Sequence, residues 1–226
     1  MQKRVLLIVS KWPSRWCGES QKNYAFVQVL NNLRYDVDIY YNNPKQRLLS
    51  RFLSAFFCFL VGGSARRGFF RIYEKLAVQK YDLVIVSLLQ NLPPDFEDAK
   101  KNLLIDYADY ISKTYALRGK KYNCVGKLFW EIESRRFSSF EKKFLFKADK
   151  VTFASLEDCK DHKNCVQLPN PIIIEKRDDT QDSGYRSYRH NGRYIFGGKL
   201  DVYQNKLSLN ILEKISQDQN IKIDIY

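Results

Sequence analysis

The sequence has no GxxxxGK[ST] loop, no paired metal-ligand spacing, no internal repeat and no low-complexity tract. The first absence excludes a P-loop nucleotidase; "VGGSARRG" (61–68) is glycine-rich, but its spacing is wrong and it reads as a link between helices. Cys159, His162 and Cys165 lie close together, yet structural zinc needs four ligands in paired spacings and no second pair appears. Chance proximity is the reading, and no metal is expected. "DVD" (36–38) has the form of a D-x-D metal motif, but it opens a strand. Ligands of parallel sheets bind beyond strand C-terminal ends, so this is a polar strand entry. The five cysteines (Cys17, Cys58, Cys124, Cys159, Cys165) are odd in number and scattered, and no leader precedes the first strand pattern near Met1. Both predict reduced thiols and a cytoplasmic chain. The longest apolar run, "FLSAFFCFLV" (52–61), is about half the length a membrane-spanning helix needs.

What is present is a folding chain of 226 residues, with 45% hydrophobic and 15% aromatic content, too apolar for disorder. The formal net charge is +13. Up to Pro171 there are 29 Lys and Arg against 17 Asp and Glu, a net +12; the remainder is net +1. The first region therefore suits an anionic partner: nucleic acid, anionic lipid or a phosphorylated substrate.

Apolar runs "KRVLLIVS" (3–10), "YDVDIYY" (35–41), "YDLVIVSLL" (81–89), "NLLIDYADY" (102–110), "KVTFAS" (150–155) and "NCVQLPN" (164–170) read as strands. Helical patterns fall between them: 19–34, two helices over 45–80 joined at "GGS", a long one over 124–147, and a short one before 164. Alternation of this kind predicts an α/β domain over 1–171, a Rossmann-like, mostly parallel sheet with helices on both faces. Residues 172–192, "IIIEKRDDTQDSGYRSYRHNG", lose periodicity and read as a linker. "RYIFGGKLDVYQN" (193–205) then starts a further βαβ unit, with a helix over 205–217 and the strand "IKIDIY".

The candidate chemistry sits where such a sheet binds ligands. After the first strand come Gly18, Glu19 and Lys22. Gly18 allows close backbone approach and the following helix offers free N–H groups; a plain N-cap turn is the alternative. Asp106 and Asp109 follow the fourth strand, either as hydroxyl acceptors or a base, or as helix caps. In the long helix, Trp130, Phe137, Phe140 and Phe144 share a core-facing stripe, and Glu131 and Arg135 are spaced to pair outside it.

Four stretches resemble the N-terminal part of a GT-B glycosyltransferase of family 4, of the bacterial exopolysaccharide and O-antigen type. "KRVLLIVSKWPSRWCGESQKNYAFVQVL" is similar to the family's first strand, loop and helix, with Gly18-Glu19 where the pattern has Gly-Asp. "LLIDYADYIS" resembles its D-x-x-D-x-x-S region at Asp106, Asp109 and Ser112. "EIESRRFSSFEKKFLFKADKVTFASLED" is similar to its E-x-x-R-x-x-x-x-E stretch with the downstream D and S-x-x-D, at Glu133, Arg136, Glu141, Asp149, Ser155 and Asp158. "VQLPNPI" resembles the turn closing the first domain, and "RYIFGGKLDVYQN" the start of the donor-binding domain, at Gly198, Lys199 and Asp201.

The resemblance implies transfer of a sugar from a nucleotide sugar to a lipid-linked or saccharide acceptor in lipopolysaccharide or other surface polysaccharide synthesis. It implies no bound metal or cofactor, and it places the protein on the inner face of the cytoplasmic membrane. The donor domain is begun and not completed within these residues, so a truncated chain, inactive alone, is expected. A non-catalytic acceptor-binding or membrane-docking remnant is the alternative. A nucleic-acid-binding α/β protein is a third reading, disfavoured because no recognised module appears. Residues 45–80 hold eight basic residues and one acid around "FLSAFFCFLV". That pattern predicts contact with an anionic membrane surface through Arg51, Phe56, Phe57, Arg66, Arg67 and Arg71.

Overall fold

Strand β1 (Arg4–Val9) is buried on both sides because alternate residues feed two separate cores. Leu6 and Ile8 point to one face, and Val5, Leu7 and Val9 to the other. A continuous apolar strand is what such a position demands. In this computed structural model the described residues are 2–15, 18–72, 74–93, 96, 102–160, 162–171, 193–196, 213, 217 and 222–225. The chain divides into two compact units, Met1–Ile174 and Glu175–Tyr226.

The first unit is a six-stranded parallel sheet, flanked by helices in the Rossmann-like manner. With β2 (Asp36–Tyr41), β3 (Leu83–Ser87), β4 (Leu103–Ala108), β5 (Lys150–Phe153) and β6 (Cys165–Gln167), the strand order is β2-β1-β3-β4-β5-β6. The order reverses between β1 and β3, so the loops after these strands part and leave a crevice at the C-terminal edge. Helix α1 (Gly18–Asn32) covers the face of Val5, Leu7 and Val9 through Leu30. The long helix α5 (Cys124–Lys147) covers the opposite face, packing Phe137, Phe140 and Phe144 against Val86, Ile105 and Phe153. Phe137, Phe140 and Phe144 of the aromatic stripe are core, as their spacing predicts, whereas Trp130 is half-buried against Tyr115. Outside it, Glu131 meets Lys127 at 4.0 Å, one turn before Arg135.

Residues 45–80 hold the two helices expected, the second much shorter than its pattern suggests. Helix α2 (Leu48–Leu60) and a five-residue α3 (Ala65–Phe69) join at "GGS", where Gly62 takes φ 88°. The helix does not continue past Phe70. Arg51 Nη1 donates to Phe69 O at 2.8 Å and Asn42 Nδ2 to Phe70 O at 2.9 Å, diverting the carbonyls that a longer helix would use. Helix α4 (Ile111–Gly119) has no counterpart in the sequence reading, and α6 (Leu156–Cys159) is the short helix expected between β5 and β6.

Two buried carboxylates on α5 organise the short helices. Glu133 accepts from Ser64 Oγ at 2.9 Å and Ala65 N at 2.8 Å, at the start of α3. Glu141 accepts from Ser112 N at 3.2 Å and from Ser112 Oγ, at the start of α4. A carboxylate at a helix N-terminus answers the unpaired N–H groups and the dipole together. Arg136, one turn from Glu133, donates to Phe59 O at 2.7 Å and Gly63 O at 3.0 Å, holding the end of α2.

In the second unit β7 (Arg193–Phe196) pairs in parallel with β8 (Lys222–Ile225), and Glu213 and Gln217 are helical. Gly198, Lys199, Asp201 and the linker 172–192 lie outside the described residues.

Candidate functional site

Period-two alternation on β4 places Asp106 on the face covered by α1, and Lys22 reaches it from that helix. Lys22 Nζ and Asp106 Oδ1 are 2.7 Å apart, with Lys22 3% and Asp106 1% exposed. Thr152 Oγ1 of β5 donates to the same oxygen at 2.7 Å. The three groups lock α1 to the two strands, and the two expected ligand-binding charges are spent on each other. Asp106 has no solvent-facing edge from which to act as a base.

Asp109 stands three residues on and is exposed. The intervening Ala108 has φ 56°, a left-handed conformation costly for a residue with a Cβ, at a register shift where β4 leaves β5. Asp109 N donates back to Tyr107 O at 2.7 Å, so this kink aims the carboxylate outward. Its pKa is raised from the ordinary carboxylate value. Desolvation comes first among the causes, then repulsion from Asp158 and more weakly from Asp106, with Lys22 and Lys113 opposing. As a residue Asp109 is exposed, so the rise describes a carboxyl partly shielded by neighbouring side chains. Leu88, after β3, also has positive φ (65°). Two strained non-glycine residues thus sit at the C-terminal ends of adjacent central strands, where strain is commonly kept for function.

A cavity of about 370 Å³ opens between the start of α4, the middle of α5 and α6; Asp109 does not line it, but the next residue, Tyr110, does. Tyr110, Lys113, Glu141, Asp158 and His162 are among its lining residues. Tyr110 Oη and His162 Nε2 are 2.8 Å apart, and Lys113 pairs with Asp158. Burial pushes the Glu141 carboxyl up, while its bonds to Ser112 and Ile111 pull the other way. Sequence reasoning misses Tyr110, Lys113 and His162. Helix α4 gives no periodic signal of its own, and His162 reads in the sequence only as a possible metal ligand.

The loop after β1 is folded onto α1. Ser14 N donates to Ser20 O at 3.1 Å, Asn23 Nδ2 to Lys11 O at 2.9 Å and Ser10 Oγ to Glu19 Oε1 at 2.7 Å. Glu19 is half-buried and also lies 3.5 Å from Lys11. A Cβ on Gly18 would meet nothing within 4 Å, so the space above it is open and no protein contact requires glycine there. Asn23 Oδ1 is buried and has no partner among the described residues. Gly18 and Glu19 stand beyond β1 and Asp109 beyond β4, with β3 between them; the cavity beside Asp109 is not lined by the first two.

Several expectations are corrected. Cys159 and Cys165 form a disulfide that closes the turn carrying His162, so these two are not reduced thiols; Cys58 and Cys124 are free. Their closeness in sequence reflects that bond. Arg51 is 6% exposed, with its guanidinium bonded to Gln46 O, Phe69 O and Asn42 Oδ1, and it cannot face a membrane. Arg66 is half-buried, bonded to Gln90 and to Tyr115 Oη, and Arg67 lies 4.4 Å over the Phe140 ring. Phe56, Phe57 and Arg71 are exposed. Among the described residues, no helix is long and apolar enough to cross a membrane, and no cluster of three or more His, Cys, Asp or Glu is placed to hold a metal ion.

No protein-family model, no curated protein and no solved structure matches this chain.

Proposed function

We propose that the chain is the acceptor-side part of a GT-B-type sugar transferase. It would pass a sugar from a nucleotide sugar to a hydroxyl of a lipid-linked or saccharide acceptor in surface polysaccharide synthesis. The observation that carries this reading is Asp109, an exposed carboxylate with a raised pKa at the end of a central parallel strand, on a strained backbone, beside a cavity with polar and aromatic walls. A sugar hydroxyl is a weak nucleophile until its proton is taken. A carboxylate of raised pKa takes it more readily. Tyr110, Lys113, Asp158 and His162, which line the cavity, supply polar groups that suit the hydroxyls of a saccharide. In the transfer step the acceptor O–H proton goes to Asp109 and the acceptor oxygen bonds the donor sugar's anomeric carbon. The bond from that carbon to the phosphate oxygen breaks, and the nucleoside diphosphate leaves with the electron pair.

Transfer of labelled sugar from a panel of nucleotide sugars to lipid-linked and free saccharides, assayed with a donor-binding GT-B half supplied alongside the chain, tests this. Asp109 acts in its ionised form, so the rate rises with pH through a midpoint above the ordinary 3.8 and falls as pH drops below it. Asp109→Asn should lose about 100-fold to 10,000-fold in rate, the usual worth of a general base, with an unchanged melting midpoint. Full activity in Asp109→Asn removes the base assignment. Saccharide binding without transfer from any donor moves the reading to a non-catalytic acceptor-binding protein.

A further inference from the structure

Helix α2 turns its apolar side outward. Leu49 is 75% exposed, Phe56 58% and Phe57 60%, and Phe52, Leu53 and Leu60 are exposed with them. These positions recur every three to four residues and form one stripe along thirteen residues, about 20 Å of helix. The inner side carries the buried Arg51 and small residues, with Gly68 of α3 packed on Ser54, Ala55 and Cys58. The stripe continues onto the start of α5, where Phe129 meets Phe59 at 5.3 Å. A contiguous apolar surface of this kind marks an interaction face.

The charges around the stripe indicate what covers it. No acid occurs from 39 to 73, and Lys45, Arg47, Arg71 and Lys75 are exposed near the two ends of that segment. Beside the first turn of α2 lies a cavity of about 110 Å³, lined by Arg47, Arg51, Arg71, Asn42, Tyr40 and Glu74. Arg51 is held within the fold, and Glu74 accepts from Tyr40 Oη at 3.2 Å. Arg47 and Arg71 make no side-chain hydrogen bond or ion pair among the described residues. Two uncommitted guanidiniums therefore share a polar cavity at the end of an exposed apolar stripe. A second copy on this face would bring like charges together, which costs affinity. An anionic bilayer satisfies both halves, taking the stripe into its interface and presenting phosphates to the cations.

We propose that α2 is an in-plane membrane anchor and that Arg47 and Arg71 engage the phosphates of anionic phospholipid headgroups. This inference stands apart from the transfer reading and rests on none of its residues. It replaces Arg51, Arg66 and Arg67, whose side chains the fold consumes.

Co-sedimentation of the full chain with phosphatidylglycerol–phosphatidylcholine vesicles tests it. Binding is expected with the anionic vesicles and not with phosphatidylcholine alone, and it weakens as salt rises. Arg47→Glu/Arg71→Glu should weaken binding by at least fivefold for each cation reversed. Phe56→Asp/Phe57→Asp should lower it tenfold or more. Phe146→Asp, at an exposed phenylalanine on the far part of α5, should leave it unchanged. All the substituted side chains are solvent-exposed, and unchanged circular dichroism and melting midpoints verify folding. No binding at low salt, or binding indifferent to both double variants, overturns the proposal. So does a dimer in solution that Phe56→Asp/Phe57→Asp converts to monomer, since a second copy would then be the occupant.

Discussion

Lys22 and Asp106 carry opposite charges into a nearly water-free place, and Thr152 supplies one more bond to the carboxylate. Breaking such a pair from one side strands the other charge. Lys22→Met is expected to cost about 3–5 kcal/mol in urea unfolding. Lys22→Met/Asp106→Leu should cost clearly less than the two single changes summed, because no charge is then left alone. Additive losses would show that the pair is not coupled. Asp109, three residues further on, should behave oppositely: its replacement by Asn touches no buried partner and belongs to activity rather than stability. In the sequence these two aspartates have equal standing, since both follow the same strand. What separates them is that Asp106 lies within the strand, buried against Lys22, while Asp109 follows the kink at Ala108, where an alanine takes a conformation that local propensity disfavours.

Short helices depend here on groups far away in sequence. Tyr110 N-caps α4 without a side-chain bond, and the bonds that α4 lacks locally come from Glu141, 29 residues from Ser112. Likewise Ser64 gives α3 no cap bond from its side chain and Glu133 answers instead. That is why α4 is invisible in the sequence and α3 reads as longer than it is, whereas β1, β3, β4 and α5 carry their own periodicity. Glu133 and Glu141 belong to the E-x-x-R-x-x-x-x-E stretch that resembles a transferase motif, and their structural work lies in these caps. Packing between α2 and α3 is equally specific. A Cβ on Gly68 would fall 2.5 Å from Ser54 O and 2.8 Å from Ala55 Cα, both backbone atoms with little freedom to give way. Gly68→Ala should therefore destabilise the chain by about 1–3 kcal/mol, read as a lowered urea midpoint. Gly18→Ala, where a Cβ meets open space, should leave stability within about 0.5 kcal/mol. Equal effects at the two glycines would mean that α3 does not pack on α2 as described.

On the scale of the molecule, the first unit combines a crevice-forming parallel sheet, a polar cavity beyond β4 and an apolar helix surface flanked by cations. The charge of the sequence, net +12 up to Pro171, leaves nucleic acid, lipid and phosphorylated substrate open. Structure narrows the useful cations to the few that the fold does not consume. The central claim is that the cavity beside Asp109 receives a saccharide. Amide-resolved NMR titration of the 26.8 kDa chain tests it directly, with oligosaccharides in one series and single-stranded and duplex nucleic acids in another. Saturable shifts at Asp109, Tyr110, Lys113, Asp158 and His162 with a saccharide, reduced in Asp158→Ala, are the predicted result. Shifts absent from those residues with every saccharide, while nucleic acid moves the exposed basic residues, would contradict it.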